Sequence, residues 1–119
     1  MTPYTLFLDD IRFPEQVSYN YGPYKHIRIA RNYEDAVWMV KQYGLPTFIS
    51  FDHDLAHEHY GKDEGERTGY SFAQWFCNYV LDNNLALPVG FSYYVHSMNP
   101  VGAANIRNYM TRFLIEYCD

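Results

Sequence analysis

Phe48-Ile49-Ser50-Phe51-Asp52-His53-Asp54-Leu55 is a short, largely apolar run that stops abruptly in two carboxylates with an imidazole between them. Such a run, followed at once by charge, reads as a buried strand that reaches the surface at its C-terminal end. The same event recurs twice in the chain. Thr5-Leu6-Phe7-Leu8 runs into Asp9-Asp10, and Phe91-Ser92-Tyr93-Tyr94-Val95 runs into His96-Ser97. Three strand candidates therefore deliver acids and histidines at their C-terminal ends. In an open parallel sheet those ends lie along one edge, where such folds place their ligands.

Working outward, helical patterns separate the strands. Thr5 to Leu8 is the first strand. Ile11 to Tyr24 holds Pro14, Gly22 and Pro23 and no sustained helical period, so it reads as an irregular connection with one helical turn near Pro14–Val17. Its Tyr19, Tyr21 and Tyr24 are placed either to line a substrate mouth or, as the favoured reading, to pack the loop. His26 to Ala30 is a second, edge strand. Asn32 caps a helix with Asp35 at the capping-box position, Tyr33, Ala36, Val37 and Val40 form its apolar face, and Gly44 and Pro46 stop it. Leu55 to Thr68 is polar, acidic and glycine-containing, and reads as a long lid or binding loop. A second helix runs from about Thr68 to Leu81, with Phe72, Ala73, Phe76, Cys77 and Val80 inward. Val89 to Val95 is the last strand. Asn99-Pro100 opens a final helix that carries Ile106, Tyr109, Met110, Phe113, Leu114 and Tyr117 at helical spacing.

Strands alternating with helices imply an α/β fold, a small three-layer doubly wound parallel sheet of about four strands. Right-handed crossovers predict the spatial order 2-1-3-4. The switch point then falls between the first and third strands, which carry Asp9-Asp10 and Asp52-His53-Asp54. The 119 residues suffice for one domain, 1–119, with a proper core. A hydrophobic share of 48% against 19% charged excludes a disordered chain. No apolar run approaches the ~20 residues of a membrane span, and no signal peptide is visible. Cys77 and Cys118 have no partner pattern and read as free thiols in a reducing, cytoplasmic setting. A net charge of -5 argues against binding extended nucleic acid, but allows a small phosphorylated molecule or one RNA end if a cation supplies positive charge.

Asp9 and Asp10 are like charges side by side, and with Asp52 or Asp54 from the neighbouring strand they make a hard-cation site of the kind Mg²⁺ takes. Asp52-His53-Asp54 leaves two geometries open. If the strand persists, the acids point one way and His53 the other; if it has ended, all three reach one pocket. In the second case His53 is a candidate general acid or base. His96 sits where the last strand feeds a helix N-terminus, whose free N–H groups suit a phosphate. Ser97, Asn99, Gly102 and Asn105 complete that candidate phosphate site, although capping alone accounts for Asn99. Arg12 is the best-placed guanidinium to meet a phosphate or brace an acid. Thr68-Gly69 offers a second anion-binding turn. His57-Glu58-His59 lacks zinc-protease spacing and reads as a solvated loop.

Leu6-Phe7-Leu8-Asp9-Asp10-Ile11-Arg12-Phe13-Pro14, Ser50-Phe51-Asp52-His53-Asp54-Leu55, Thr68-Gly69 and His96-Ser97-Met98-Asn99-Pro100-Val101-Gly102 resemble the cyclic-phosphate-processing receiver-like domains of bacteria and phages. The resemblance spans most of the chain, with the motifs in the family's order. It implies a receiver- or flavodoxin-like fold shortened by one β-α unit, with Asp9-Asp10 as the metal-binding pair and Asp52 near a receiver's phospho-acceptor position. It also implies a role in processing cyclic phosphates during RNA or nucleotide repair.

The expectation is a phosphoesterase that opens cyclic phosphates on nucleotides or RNA ends. Asp9, Asp10 and Asp52 would hold Mg²⁺ or a similar cation, and His53 and His96 would share the proton transfers. The alternative is a non-catalytic pseudo-receiver that binds a cyclic nucleotide or a protein partner. A phospho-accepting receiver modified at Asp52 is disfavoured because no lysine follows a fifth strand.

Overall fold

A computed structural model describes residues 3–24, 26–55 and 67–117. The His57-Glu58-His59 loop and Cys118 lie outside the described residues. Strand β1 (Thr5–Leu8) is followed by a 3-10 turn (Pro14–Gln16), β2 (Ile27–Ala30), α1 (Tyr33–Tyr43), β3 (Phe48–Phe51), α2 (Gly69–Asp82), β4 (Ser92–Val95) and α3 (Pro100–Tyr117). All strand pairs are parallel, in the order β2-β1-β3-β4, as the crossover rule predicts. The last strand is shorter than the apolar run 89–95 suggests. Phe91 N–H turns back to the Pro88 carbonyl and Val89 is fully exposed, so pairing begins only at Ser92.

Strand alternation divides the side chains between two faces. Leu6, Leu8, Ile49, Phe51 and Val95 face the helices and pack with Ala36 and Val40 of α1, Phe72, Phe76 and Val80 of α2, and Ile106 and Met110 of α3. All three helices thus contribute to one core. Phe7 and Phe48 face the other way, where they are covered by Val17, Tyr19, Tyr21 and Tyr24 from the β1–β2 connection. The third layer is therefore loop, not helix. A right-handed crossover from β1 to β2 runs opposite in direction to those from β2 to β3 and β3 to β4, and so lies on the opposite face. Pro14, Gly22 and Pro23 keep that connection from forming a helix. Stacked rings replace it: Tyr19 lies 4.1 Å from Tyr94, and Tyr24 lies 4.5 Å from Phe48.

The helices begin where local chemistry says they should. Asn32 accepts the Asp35 N–H, Thr68 and Ser71 form a reciprocal capping box, and Asn99 accepts the Gly102 N–H at 3.0 Å. Cys77 is a free thiol buried against Met110, and burial pushes its pKa up to about 12, which makes it inert. No described helix is long and apolar enough to cross a membrane.

Candidate functional site

The sheet register builds the site. Leu8 is aligned with Phe51, and Phe51 with Val95. The ladder then extends one residue further on each strand. Asp9 N–H bonds to the Ala30 carbonyl, Asp52 N–H to the Leu8 carbonyl and His96 N–H to the Phe51 carbonyl, at 3.1, 2.9 and 2.9 Å. Asp9, Asp52 and His96 are thereby brought level at one edge, although 43 and 44 positions of chain separate neighbours. All three are buried.

Asp9 is the hub. Its Oδ1 accepts the backbone N–H groups of Ile11 and Arg12, and its Oδ2 accepts Arg12 Nε at 2.9 Å and His96 Nε2 at 3.0 Å. Burial by itself pushes the Asp9 carboxyl up. The hydrogen bonds from His96, Arg12 and Ile11, with the Arg12 charge, outweigh that and hold it well below the usual carboxylate range. Asp10 and Asp52 are shifted the other way, first by burial and then by the charge of Asp9. Oxygens of Asp9, Asp10 and Asp52 gather within 4.8 Å of one another. Arg12 reaches over them, with its outer nitrogen 3.8 Å from Asp52 and 3.4 Å from the His96 carbonyl.

Among the described residues, three carboxylates with one ion-paired guanidinium among them leave two negative charges uncompensated when all three are ionised. The residues present therefore fit a divalent hard cation. Asp9 already accepts four hydrogen bonds, so Asp10 and Asp52 are the carboxylates with capacity to hold it. Asp54, expected as a further ligand, does not join this cluster. It is exposed and bonds His53 Nδ1 at 2.9 Å and Asn99 Nδ2 at 3.3 Å. The bond from His53 lowers the Asp54 pKa, with a smaller contribution from Asn99.

His53 and His96 occupy different surroundings. The His96 side chain is completely buried, stacks on Phe7 at 4.7 Å with near-parallel rings, and has both nitrogens engaged, Nε2 by Asp9 and Nδ1 by Ser50 Oγ at 2.7 Å. His53 turns to α3, where its ring fills the space left by Gly102: a Cβ there would lie 2.3 Å from the imidazole. Asp52 thus faces Asp9, while His53 faces the helix and Asp54 goes with His53, so neither of the two geometries that the sequence left open is realised: Asp52 parts from both of its neighbours. Among the described residues, His53 Nε2 has no hydrogen-bond partner.

The remaining expected anion-binding groups are largely occupied by the fold itself. Thr68 is buried and caps α2 through Ser71 N–H. Gly69 N–H bonds to the His53 carbonyl at 2.8 Å, and a Cβ on Gly69 would lie 1.8 Å from the Asp52 carbonyl oxygen. Ser97 Oγ accepts Asn99 N–H, and Asn99 Oδ1 caps α3 at Gly102. Asn105 is exposed and lines a groove of about 330 Å³ between α2 and α3, with Tyr70, Cys77 and Arg112.

Three residues outside the expected set complete the site. Arg31, just after β2, donates from Nη1 to the carbonyls of Asp9 and Arg12 at 3.1 and 2.7 Å and lies over Phe13. Ser50 and Tyr21 hydrogen-bond to each other behind His96. Only the position of Ser50, two residues before Asp52 on the same strand face, hinted at its place.

A parallel sheet with this strand order and an acidic trio at its C-terminal edge defines a receiver-like α/β domain. A family model described as "Cyclic-phosphate processing Receiver domain" matches residues 4–112. The chain belongs to that family. No curated protein matches the chain. Among solved structures, it is similar to the crystal structure of a signal receiver domain from Vibrio parahaemolyticus, at 14% identity over 98% of each chain and a TM-score of 0.47.

Proposed function

We propose that this domain opens cyclic phosphate esters on nucleotides or RNA ends, with a divalent cation such as Mg²⁺ held by Asp10 and Asp52. The observation that carries the reading is the charge balance at the strand edge: among the described residues, three gathered carboxylates have one ion-paired guanidinium among them, that of Arg12. The family description supports the substrate class. A bound divalent cation supplies charge neutralisation at a phosphoryl oxygen. Arg12, held on its Nε side by Asp9, presents its outer nitrogen to the same group.

Opening the ring consumes one water. A new P–O bond forms from the water, the P–O bond to one ribose oxygen breaks, and a proton passes to the departing oxygen. His53 suits that transfer. Asp54 holds its Nδ1, which leaves Nε2 as the nitrogen that takes and returns the proton. His96, expected to share the proton transfers, is a poorer candidate for contact with substrate because its side chain is buried with both nitrogens engaged.

The test is hydrolysis of 2′,3′-cyclic nucleotides in Mg²⁺ by the wild type, His53→Ala and Asp52→Asn. Loss of His53 is expected to lower the rate by on the order of 10²–10⁴. Turnover at the wild-type rate in both variants refutes the proposal. Calorimetric binding without any turnover replaces it with a non-catalytic cyclic-nucleotide binder.

A further inference from the structure

We propose that Tyr21 and Ser50 are positioning residues, which act through His96 and Asp9 to set the orientation of the Arg12 guanidinium at the strand edge. The inference rests on the phosphoester reading for its functional consequence, but not for its structural test. Its basis is a file of buried polar groups that crosses from the tyrosine-rich loop to the acidic edge. The Tyr21 hydroxyl meets Ser50 Oγ, Ser50 Oγ meets His96 Nδ1, and His96 Nε2 meets Asp9 Oδ2. Asp9 Oδ2 then takes Arg12 Nε.

The members have little freedom. Tyr21 is 7% exposed, and Ser50 and the His96 and Asp9 side chains are fully buried. The donors can be assigned. An ionised Asp9 only accepts, so His96 Nε2 carries a hydrogen. With a neutral imidazole, Nδ1 then accepts from the Ser50 hydroxyl, and Ser50 Oγ accepts from Tyr21. Burial raises the Tyr21 pKa, against a smaller lowering by Ser50, which keeps the phenol a donor. Every hydrogen in the file points toward Asp9, so Asp9 sets the Nε2–H tautomer of His96 and the Ser50 and Tyr21 hydroxyls anchor the ring from its Nδ1 side. Removing the Ser50 hydroxyl leaves Nδ1 without its donor, so the imidazole keeps its Nε2 hydrogen but loses one of its two anchors and can tilt. Asp9 would then turn, and Arg12 with it. Partners one step behind a working group typically matter by about 10–100-fold in affinity or activity.

The conservative probe is Tyr21→Phe, which keeps the edge-on ring contact to Phe7 at 5.7 Å and removes only the hydroxyl. Ser50→Ala is the stronger probe, and Ser50→Thr restores a hydroxyl. Nitrogen-15 spectra of the substrate-free protein read the His96 tautomer and the exchange of the Arg12 Nε hydrogen. The wild type is expected to show the hydrogen on Nε2 alone. Ser50→Ala is expected to keep the Nε2 hydrogen, shift the Nδ1 signal as its hydrogen bond is lost, and speed Arg12 Nε exchange about tenfold, with partial recovery in Ser50→Thr and a smaller change in Tyr21→Phe. Cyclic-nucleotide kcat/KM is expected to fall by about 10–100-fold in Ser50→Ala. An unchanged Arg12 Nε exchange rate in both Tyr21→Phe and Ser50→Ala overturns the inference, even if the His96 Nδ1 signal shifts or the melting temperature drops. A wild type that shows the expected spectra but no turnover sinks the phosphoester reading alone.

Discussion

Replacing Gly69 by alanine sets two effects of opposite sign against each other. Gly69 is the first residue of α2, and glycine in a helix is about 1 kcal/mol less favourable than alanine, so propensity alone favours the change. Packing opposes it. The new Cβ would stand 1.8 Å from the Asp52 carbonyl oxygen, 2.9 Å from its carbon and 3.1 Å from His53 Cα. All three neighbours are backbone, and the Asp52 N–H is pinned to Leu8 across the sheet. The helix start must therefore retreat until the contact exceeds 3.0 Å, which stretches the 2.8 Å bond from Gly69 N–H to the His53 carbonyl. Overpacking costs about 1–3 kcal/mol and a weakened backbone bond about 1 kcal/mol more. After the propensity gain, Gly69→Ala is expected to destabilise the domain by about 1–3 kcal/mol. For a chain of this size that is a fall of roughly 4–12 °C in Tm. Urea denaturation should show a lower midpoint at constant slope. Equal or greater stability in Gly69→Ala would refute the reasoning, because it would mean that the helix does not press on the strand that carries Asp52.

Gly102→Ala is expected to evict the His53 ring, whose Cγ lies 2.3 Å from the new Cβ, and to break its bond to Asp54; the histidine NMR signals should shift while the sheet amides do not. Asp52→Asn removes a buried charge that its neighbours disfavour, so the variant should melt higher than the wild type without added metal. Mg²⁺ at ten times its Kd should stabilise the wild type by about 1.4 kcal/mol and leave Asp52→Asn unmoved in the same thermal shift assay. The pH dependence has two components. Asp9, with its pKa depressed in the folded state, contributes stability that is present above the unfolded value of 3.8 and is lost as pH falls through the folded one. Asp10 and Asp52, with raised values, destabilise at neutral pH and relieve that penalty as pH falls through their folded pKa values toward 3.8. Urea titrations from pH 7 down to pH 2 should therefore show Asp52→Asn losing its advantage near pH 4, while Asp9→Asn flattens the acid limb below it.

Much of the architecture was legible because its determinants are local. Each strand is four residues of β-compatible chain broken by charge, and Asn32, Thr68 and Asn99 announce the helix starts through bonds to residues three positions away. The strand order followed from crossover handedness. The acidic trio was legible for the same reason, since a carboxylate directly after each parallel strand must fall on the shared edge. Less visible was the division of labour between the two histidines. His96 and His53 both follow strands, but one is sealed under Phe7 and the other lies against Gly102. The pairing of Asp54 with His53 instead of the cluster has the same origin, a change of side within three residues. Arg31 and Tyr21 belong to no motif and Ser50 only opens the Ser50–Leu55 stretch, and their roles depend on partners 19 to 46 positions away.

The amino-acid pattern by itself therefore determined a four-stranded parallel α/β domain, its strand order and the gathering of Asp9 and Asp10 with an acid from the third strand, Asp52 or Asp54, because periodicity, capping and handedness act over short stretches of chain. Only the tertiary structure decided that the third layer is a tyrosine loop, that Asp9 is saturated by Arg12 and His96, and that His53 keeps the more open ring nitrogen. Those outcomes turn on which side chain reaches which lone pair first in a crowded, water-poor edge. That competition is settled in space, at distances near 3 Å, and for His96 it is between groups the chain holds far apart.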